Sequence, residues 1–165
     1  MERVLTFKMS HTIAVVGSRD FTDRAYMKAC LEIVLRDNAS ITSAISGGCR
    51  GADKLGEEVI GELGIPFDRH IEAEWSLYGN AAGPIRNVVV VEACDVLVAF
   101  PLGKSKGTRD AIRKARKARK IVYVFDRTAH PDGCPKCYST LWEDSKKVAR
   151  CTNPECPYGQ EDSLV

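Results

Sequence analysis

The sequence predicts an α/β fold: a Rossmann-like parallel sheet with helices on both faces, followed by a small C-terminal zinc ribbon. Three observations predict it. Short apolar, β-branched runs alternate with amphipathic helical segments along residues 12–126. The strand-like runs are followed by polar, mostly glycine-containing turns, GSRD, SGGCRGAD, AEWSLYGN and PLGKSKGT. After the turn cluster HPDG (130–133) the composition shifts to Cys, Pro, Lys and Tyr. The expected organisation is an N-terminal extension (1–11), a main domain (12–128) and a four-cysteine ribbon with its tail (129–165).

TIAVVGSR (12–19) reads as a buried strand that ends in a glycine turn. FTDRAYMKACLEIVLRD (21–37) reads as a helix capped by Thr22, with Tyr26, Ala29, Cys30, Ile33 and Val34 on one face. ITSAISGGCRGAD (41–53) repeats strand and turn. ADKLGEEVIGELG (52–64) is a second helix that Gly64 can end. IPFDRHIEAEW (65–75) suggests a third strand, and SLYGNAAG (76–83) a loop. PIRNVVVVEAC (84–94) reads as a helix with Pro84 at its first position. DVLVAF (95–100) is a strand, GTRDAIRKARKARK (107–120) a helix, and IVYVF (121–125) the last strand.

A chain of 165 residues holds one medium domain and a small appendage. Its 44% hydrophobic and 28% charged content is that of an ordinary globular protein. The net charge is only +2, yet residues 101–130 hold ten Lys or Arg against two acids. A basic face on a mildly acidic body points to an anionic ligand rather than to a protein that coats DNA. No long apolar run and no signal-peptide pattern is present, so the expectation is a cytoplasmic protein without membrane contact. Its seven cysteines are then reduced thiols or metal ligands.

Cys134, Cys137, Cys151 and Cys156 form C-x2-C-x13-C-x4-C. Two close pairs of this spacing suit a tetrahedral, structural Zn²⁺ with no open position. Cys30 and Cys94 read as small core residues. Cys49 stands in a glycine turn.

The turns converge on one site if the strands are parallel, because ligands bind such sheets at the carboxyl ends of the strands. Gly17, Ser18 and Arg19 follow the first strand. Ser46, Gly47, Gly48 and Gly51 precede a helix whose first turn carries Asp53, which can hold a ribose hydroxyl. Gly103, Gly107 and Thr108 open the basic helix, where backbone N–H groups and the threonine hydroxyl make a phosphate pocket. The loop is not a Walker A motif. Arg109, Arg113, Arg116, Lys117 and Lys120 share the outer face of that helix, opposite Ala111, Ile112, Ala115 and Ala118.

TIAVVGSRDF, ISGGCRGADKLGE, AEWSLYGNAAGPIRN, CDVLVAFPLGKSKGT and KIVYVF together resemble the SLOG superfamily, in its small phage and bacterial branch related to YspA. The resemblance covers residues 12–126. It implies a modified Rossmann-like fold, nucleotide or nucleotide-derivative binding, and a homodimer. Relatives include the LONELY GUY phosphoribohydrolases, which release a base from a nucleoside monophosphate, nucleotide-signal sensors, and the single-stranded-DNA-binding DNA-processing protein A group. Arg86-Asn87 stands where the phosphoribohydrolases have Arg-Lys, and Gly107 and Thr108 match their glycine-rich loop. Ala111 occupies the place of that loop's glutamate, so hydrolysis would need another carboxylate, Glu74, Asp95 or Asp110. Trp75 and Tyr78 can stack on a base or pack in the core. Three functions follow: a nucleotide binder acting as sensor or processing protein, an N-glycosidic hydrolase, and a nucleic-acid module using the ribbon and the basic helix.

Overall fold

A computed structural model describes residues 10–126, 141–152, 155 and 156. Cys134, Cys137 and most of the expected ribbon and N-terminal extension lie outside the described residues.

The elements run β1 (His11–Gly17), α1 (Arg24–Asp37), β2 (Ile41–Ser46), α2 (Ala52–Glu62), β3 (Phe67–His70), α3 (Trp75–Tyr78), a 3-10 turn (Gly79–Ala81), α4 (Ala82–Ala93), β4 (Val96–Phe100), α5 (Lys106–Lys117), β5 (Ile121–Val124), β6 (Leu141–Glu143) and β7 (Ala149–Cys151). One mixed sheet has the order β3-β2-β1-β4-β5-β6-β7. The first five strands are parallel. The expectation of a wholly parallel sheet is therefore corrected at one edge: β6 pairs antiparallel with β5 through Val124 and Glu143, and β7 pairs antiparallel with β6.

Period-two alternation sorts the side chains to two faces. Ile13, Val15, Val96, Val98 and Phe100 pack with Met27, Cys30, Leu31 and Val34 of α1 and with Val59 and Ile60 of α2. Ala14, Val16, Leu97, Ala99 and Val122 pack on the other face with Val90 and Val91 of α4 and with Ala111, Ile112 and Ala115 of α5. Every residue of β4 is buried, as a strand covered on both faces requires. Trp142 of β6 joins the first core and stacks on Tyr123 at 4.8 Å.

Local departures have simple causes. Asp23, not Thr22, caps α1 by accepting from the Tyr26 N–H at 3.0 Å. Phe21 is buried against Phe100 at 5.1 Å, which holds the chain out of the helix through Thr22. Ala29 is exposed, and Met27 and Leu31 take the buried face instead. Pro84 sits in the third position of α4, still in the first turn, where a missing N–H costs nothing. Among the described residues no helix is long and apolar enough to cross a membrane.

Candidate functional site

β1 leads into α1 on one face of the sheet and β4 leads into α5 on the other. Between their carboxyl ends the chain opens a cleft of about 780 Å³. Gly17, Ser18 and Arg19 form one wall, and Gly47, Cys49 and Asp53 the next. Trp75, Arg86 and Asn87 close it from the α3–α4 side. Lys104, Lys106, Gly107, Thr108 and Asp110 close it from the α5 side.

Four residues expected at the ligand shape the turns without lining the cleft. The Ser46 hydroxyl donates to Glu57 at 2.5 Å and accepts the Gly48 N–H at 3.0 Å. Glu57 also holds Nδ1 of His70 at 2.8 Å, so α2, β3 and the glycine turn are tied at one carboxylate. Gly51 has φ +81°, and a side chain there would collide with the Arg19 carbonyl. Gly103 lends its carbonyl to Arg109 at 2.7 Å.

Asp53 is only 4% exposed. Burial pushes its pKa from 3.8 up to about 6, against the opposing charge of Arg86 and hydrogen bonds from the Cys49 and Gly17 N–H groups. Arg86 donates to the Gly47 carbonyl at 3.0 Å and reaches Sγ of Cys49 at 3.5 Å. A side chain on Gly47 would collide with the Arg86 guanidinium and lie 2.7 Å from the Asp53 carboxylate. The glycine turn thus lets an arginine and a buried carboxylate meet over its backbone.

Asn87 is buried and joins α4 to the start of α5. Its Nδ2 donates to the Gly107 carbonyl and to Asp110 Oδ2, each at 3.0 Å, while its Oδ1 accepts from Arg86 at 3.3 Å. Asp110 also accepts from Lys114 at 2.6 Å and Arg113 at 2.5 Å. Burial alone would raise the Asp110 pKa, but the hydrogen bonds from Lys114 and Asn87 and the nearby cations outweigh it, and the pKa is lowered. Asp110 is a paired anion at neutral pH, which suits positioning and not proton donation.

The first turn of α5 begins at Ser105, a non-glycine residue at φ +36° with no side-chain cap. The N–H groups of Lys106, Gly107 and Thr108 therefore lack intrahelical acceptors and stand at the positive end of the helix. A Cβ on Gly107 would meet nothing within 4 Å. The Ser105 hydroxyl donates to Thr108 Oγ1 at 3.0 Å.

Glu74 lies outside the cleft; it is exposed, and its carbonyl accepts the Leu77 and Tyr78 N–H groups at the start of α3. Sequence reasoning passed over Cys49, Lys104 and Lys106 as ligand-facing positions, although the lysines interleave the glycines of PLGKSKGT. The basic face of α5 is largely neutralised within the protein: Arg109 pairs with Asp126 at 3.1 Å and Arg116 with Glu143 at 2.7 Å. Cys151 and Cys156 are buried together with Leu141. Among the described residues no group of three His, Cys, Asp or Glu is arranged to hold a metal.

Comparison with known proteins places the chain. It is 34% identical over 119 residues to the Gene 61 protein of Mycobacterium phage D29, covering 68% of this chain and 94% of the relative. The chain belongs to the family of that phage protein. No family model matches it. Among solved structures, it is similar to DNA processing protein A from Helicobacter pylori, described for its single-stranded DNA binding mode, with a TM-score of 0.48 and 21% identity. The likeness covers 69% of this chain and 64% of that one.

Proposed function

We propose that the cleft binds a nucleotide or a nucleotide derivative, with its phosphate on the first turn of α5. The observation that carries this reading is the uncapped N-terminus of α5 opening into a cleft that also holds Arg86, Asp53 and Trp75. Lys106, Gly107 and Thr108 N–H groups would meet the phosphate oxygens, with Lys104 and Arg19 adding charge. Asp53 would accept a sugar hydroxyl. Trp75, half exposed at the rim, offers a ring for the base. Hydrolysis is the weaker reading, since Asp110 is spent on pairing and Glu74 stands apart. Calorimetric titration with a nucleotide panel tests the proposal. Gly107→Glu adds a carboxylate in open space at the phosphate position, so it should fold and lose binding. Equal affinity in wild type and variant would refute the assignment.

A second reading, in which the nucleotide is one unit of a single-stranded nucleic acid, has its own support. Trp75, Leu77 and Tyr78 are exposed, and Trp75 lines the same cleft as Arg19, Lys104 and Lys106; stacking surfaces beside cations are what such strands need. Oligonucleotide affinity that falls steeply with salt, beyond that of a mononucleotide, would select it.

For the C-terminal segment we propose a structural Zn²⁺ held by Cys134, Cys137, Cys151 and Cys156. The paired spacing supports it, and so does the burial of the Cys151 and Cys156 thiols in one small cluster. Metal analysis of the purified protein tests it: one zinc per chain, lost in Cys151→Ser, is the expected result.

A further inference from the structure

The cleft carries more positive charge than its own acids answer. Four cations line it, Arg19, Arg86, Lys104 and Lys106, beside three acids, Asp20, Asp53 and Asp110. Each acid already faces a cation. Asp53 lies under the charge of Arg86, Asp110 pairs with Arg113 at 2.5 Å and with Lys114 at 2.6 Å, and Asp20 stands 3.7 Å from Arg50. Arg19, Lys104 and Lys106 form no ion pair among the described residues. On the outer flank of α5 the balance is different, since Arg109 and Arg116 are matched by Asp126 and Glu143.

The fold brings these three charges to one mouth. Gly17 of β1 and Phe100 of β4 are register partners, and the Ser18 N–H donates to the Phe100 carbonyl at 3.1 Å. The loops that follow the two strands therefore leave the sheet side by side. Arg19 stands in a tight turn, where Ser18 accepts the Asp20 N–H through Oγ at 3.2 Å and the Phe21 N–H through its carbonyl at 3.2 Å. Lys104 stands between two left-handed residues, Gly103 at φ +57° and Ser105 at φ +36°. Arg109 ties that loop from behind. It donates to the Gly103 carbonyl at 2.7 Å, to the Lys104 carbonyl at 3.1 Å and to Asp126 at 3.1 Å. Two carbonyl oxygens are thereby engaged by an arginine that does not line the cleft. A pinned loop whose cations line the cleft while its oxygens are held elsewhere suits an anion.

One phosphate on the first turn of α5 is served by the N–H groups of Lys106, Gly107 and Thr108. Three side-chain cations remain at the mouth, and they repel one another until a further anion lies between them. We infer that the ligand of the cleft carries two successive phosphates, the second held by Arg19, Lys104 and Lys106. This second position rests on the reading of the first as a nucleotide phosphate site. Two sources share the chemistry: the pyrophosphate of a nucleoside diphosphate, and consecutive phosphates of a nucleic-acid strand.

The test is calorimetric titration, at one fixed ionic strength, with the mono- and diphosphates of each of the four ribonucleosides and with 5′-phosphorylated dithymidylate. The expected result is that a two-phosphate probe binds about tenfold or more tighter than the best monophosphate. The variant combines Arg19→Ser with Lys104→Ser; both side chains are exposed, so it should fold. In that variant the two-phosphate probe should lose more affinity than the monophosphate, and the preference should shrink to about twofold or less. A dinucleotide that binds tighter than every nucleoside diphosphate identifies the strand as the source, and the reverse order identifies the free diphosphate. A monophosphate that binds as tightly as both two-phosphate probes overturns the inference and leaves the proposed function standing. A preference that survives in the variant overturns it too, because these cations then do not hold the second phosphate. Binding of no probe at all refutes the proposed function, and the second phosphate position with it.

Discussion

Replacing Asp53 with asparagine should stabilise the protein at neutral pH and impair its ligand binding. The carboxylate is almost fully buried, and its pKa rises from 3.8 to about 6 in spite of the Arg86 charge. A folded pKa above the unfolded one means that folding favours the protonated form. The stability this gives is full below the unfolded pKa and is lost as pH rises through about 6. Above that, the ionised side chain costs the fold about 3 kcal/mol. Asparagine mimics the protonated acid, and Arg86 meets a neutral neighbour in both, so the variant should recover most of that amount. In a domain of this size the gain corresponds to about 6–12 °C in melting temperature. The assay is urea unfolding of both proteins at pH 4, 6 and 8. The gap should shrink below about 1 kcal/mol near pH 4 and reach its full value by pH 8. A gap independent of pH, or an asparagine variant less stable at pH 8, would refute the reasoning. A buried carboxylate that destabilises its own fold is what a site under functional demand looks like.

Gly107→Ala should raise stability by about 0.5–1 kcal/mol, because alanine is the better helix former and its methyl meets open space. Nucleotide affinity should fall at the same time, since that space lies over the phosphate-facing amides; thermal melts and calorimetry on one preparation check both. Asn87→Ala should cost about 1–3 kcal/mol by leaving the Gly107 carbonyl and Asp110 without their shared donor, and ligand affinity should drop as α5 loses its anchor. Denaturant unfolding and titration of the same variant read the two effects. Cys156→Ser should abolish zinc retention by the full-length chain, measured by elemental analysis after dialysis against a chelator, while nucleotide affinity stays within about twofold.

Much of the sheet was legible because its strands are covered on both faces. TIAVVG and VLVAF read as strands since burial on two sides demands unbroken apolar runs, and both lie at the centre of the sheet. The hairpin of β6 and β7 was not legible: three-residue strands such as LWE are too short to show a period, and the contacts that anchor them, Trp142 on Tyr123 and Phe125 and Arg116 with Glu143, join residues far apart in the chain. Residues 65–75 read as a strand and 76–83 as a loop, yet β3 spans only Phe67–His70, Trp75 opens α3, a 3-10 turn follows and α4 begins at Ala82. A four-residue helix has no repeat to detect, and Trp75 packs over Gly83, where a Cβ would lie 3.3 Å from its ring. At the cleft, the glycine turns marked most of the backbone walls. What the turns could not reveal was the partner of each charge. Asp110 stands one residue before the expected glutamate position, and only the packing of α4 against α5 brings Asn87 onto it. The ties of Ser46 to Glu57 and of Glu57 to His70 likewise join residues far apart in the chain.

The central claim is that the cleft holds a nucleotide by its phosphate and leaves it intact. Equilibrium dialysis of the protein against a mixed panel of nucleotides, with chromatography of both chambers, addresses it most directly. The account predicts that one nucleotide class is enriched, unbroken, on the protein side, and that Gly107→Glu abolishes the enrichment. Equal concentrations across the membrane for every nucleotide, or free base accumulating in the protein chamber, would contradict it.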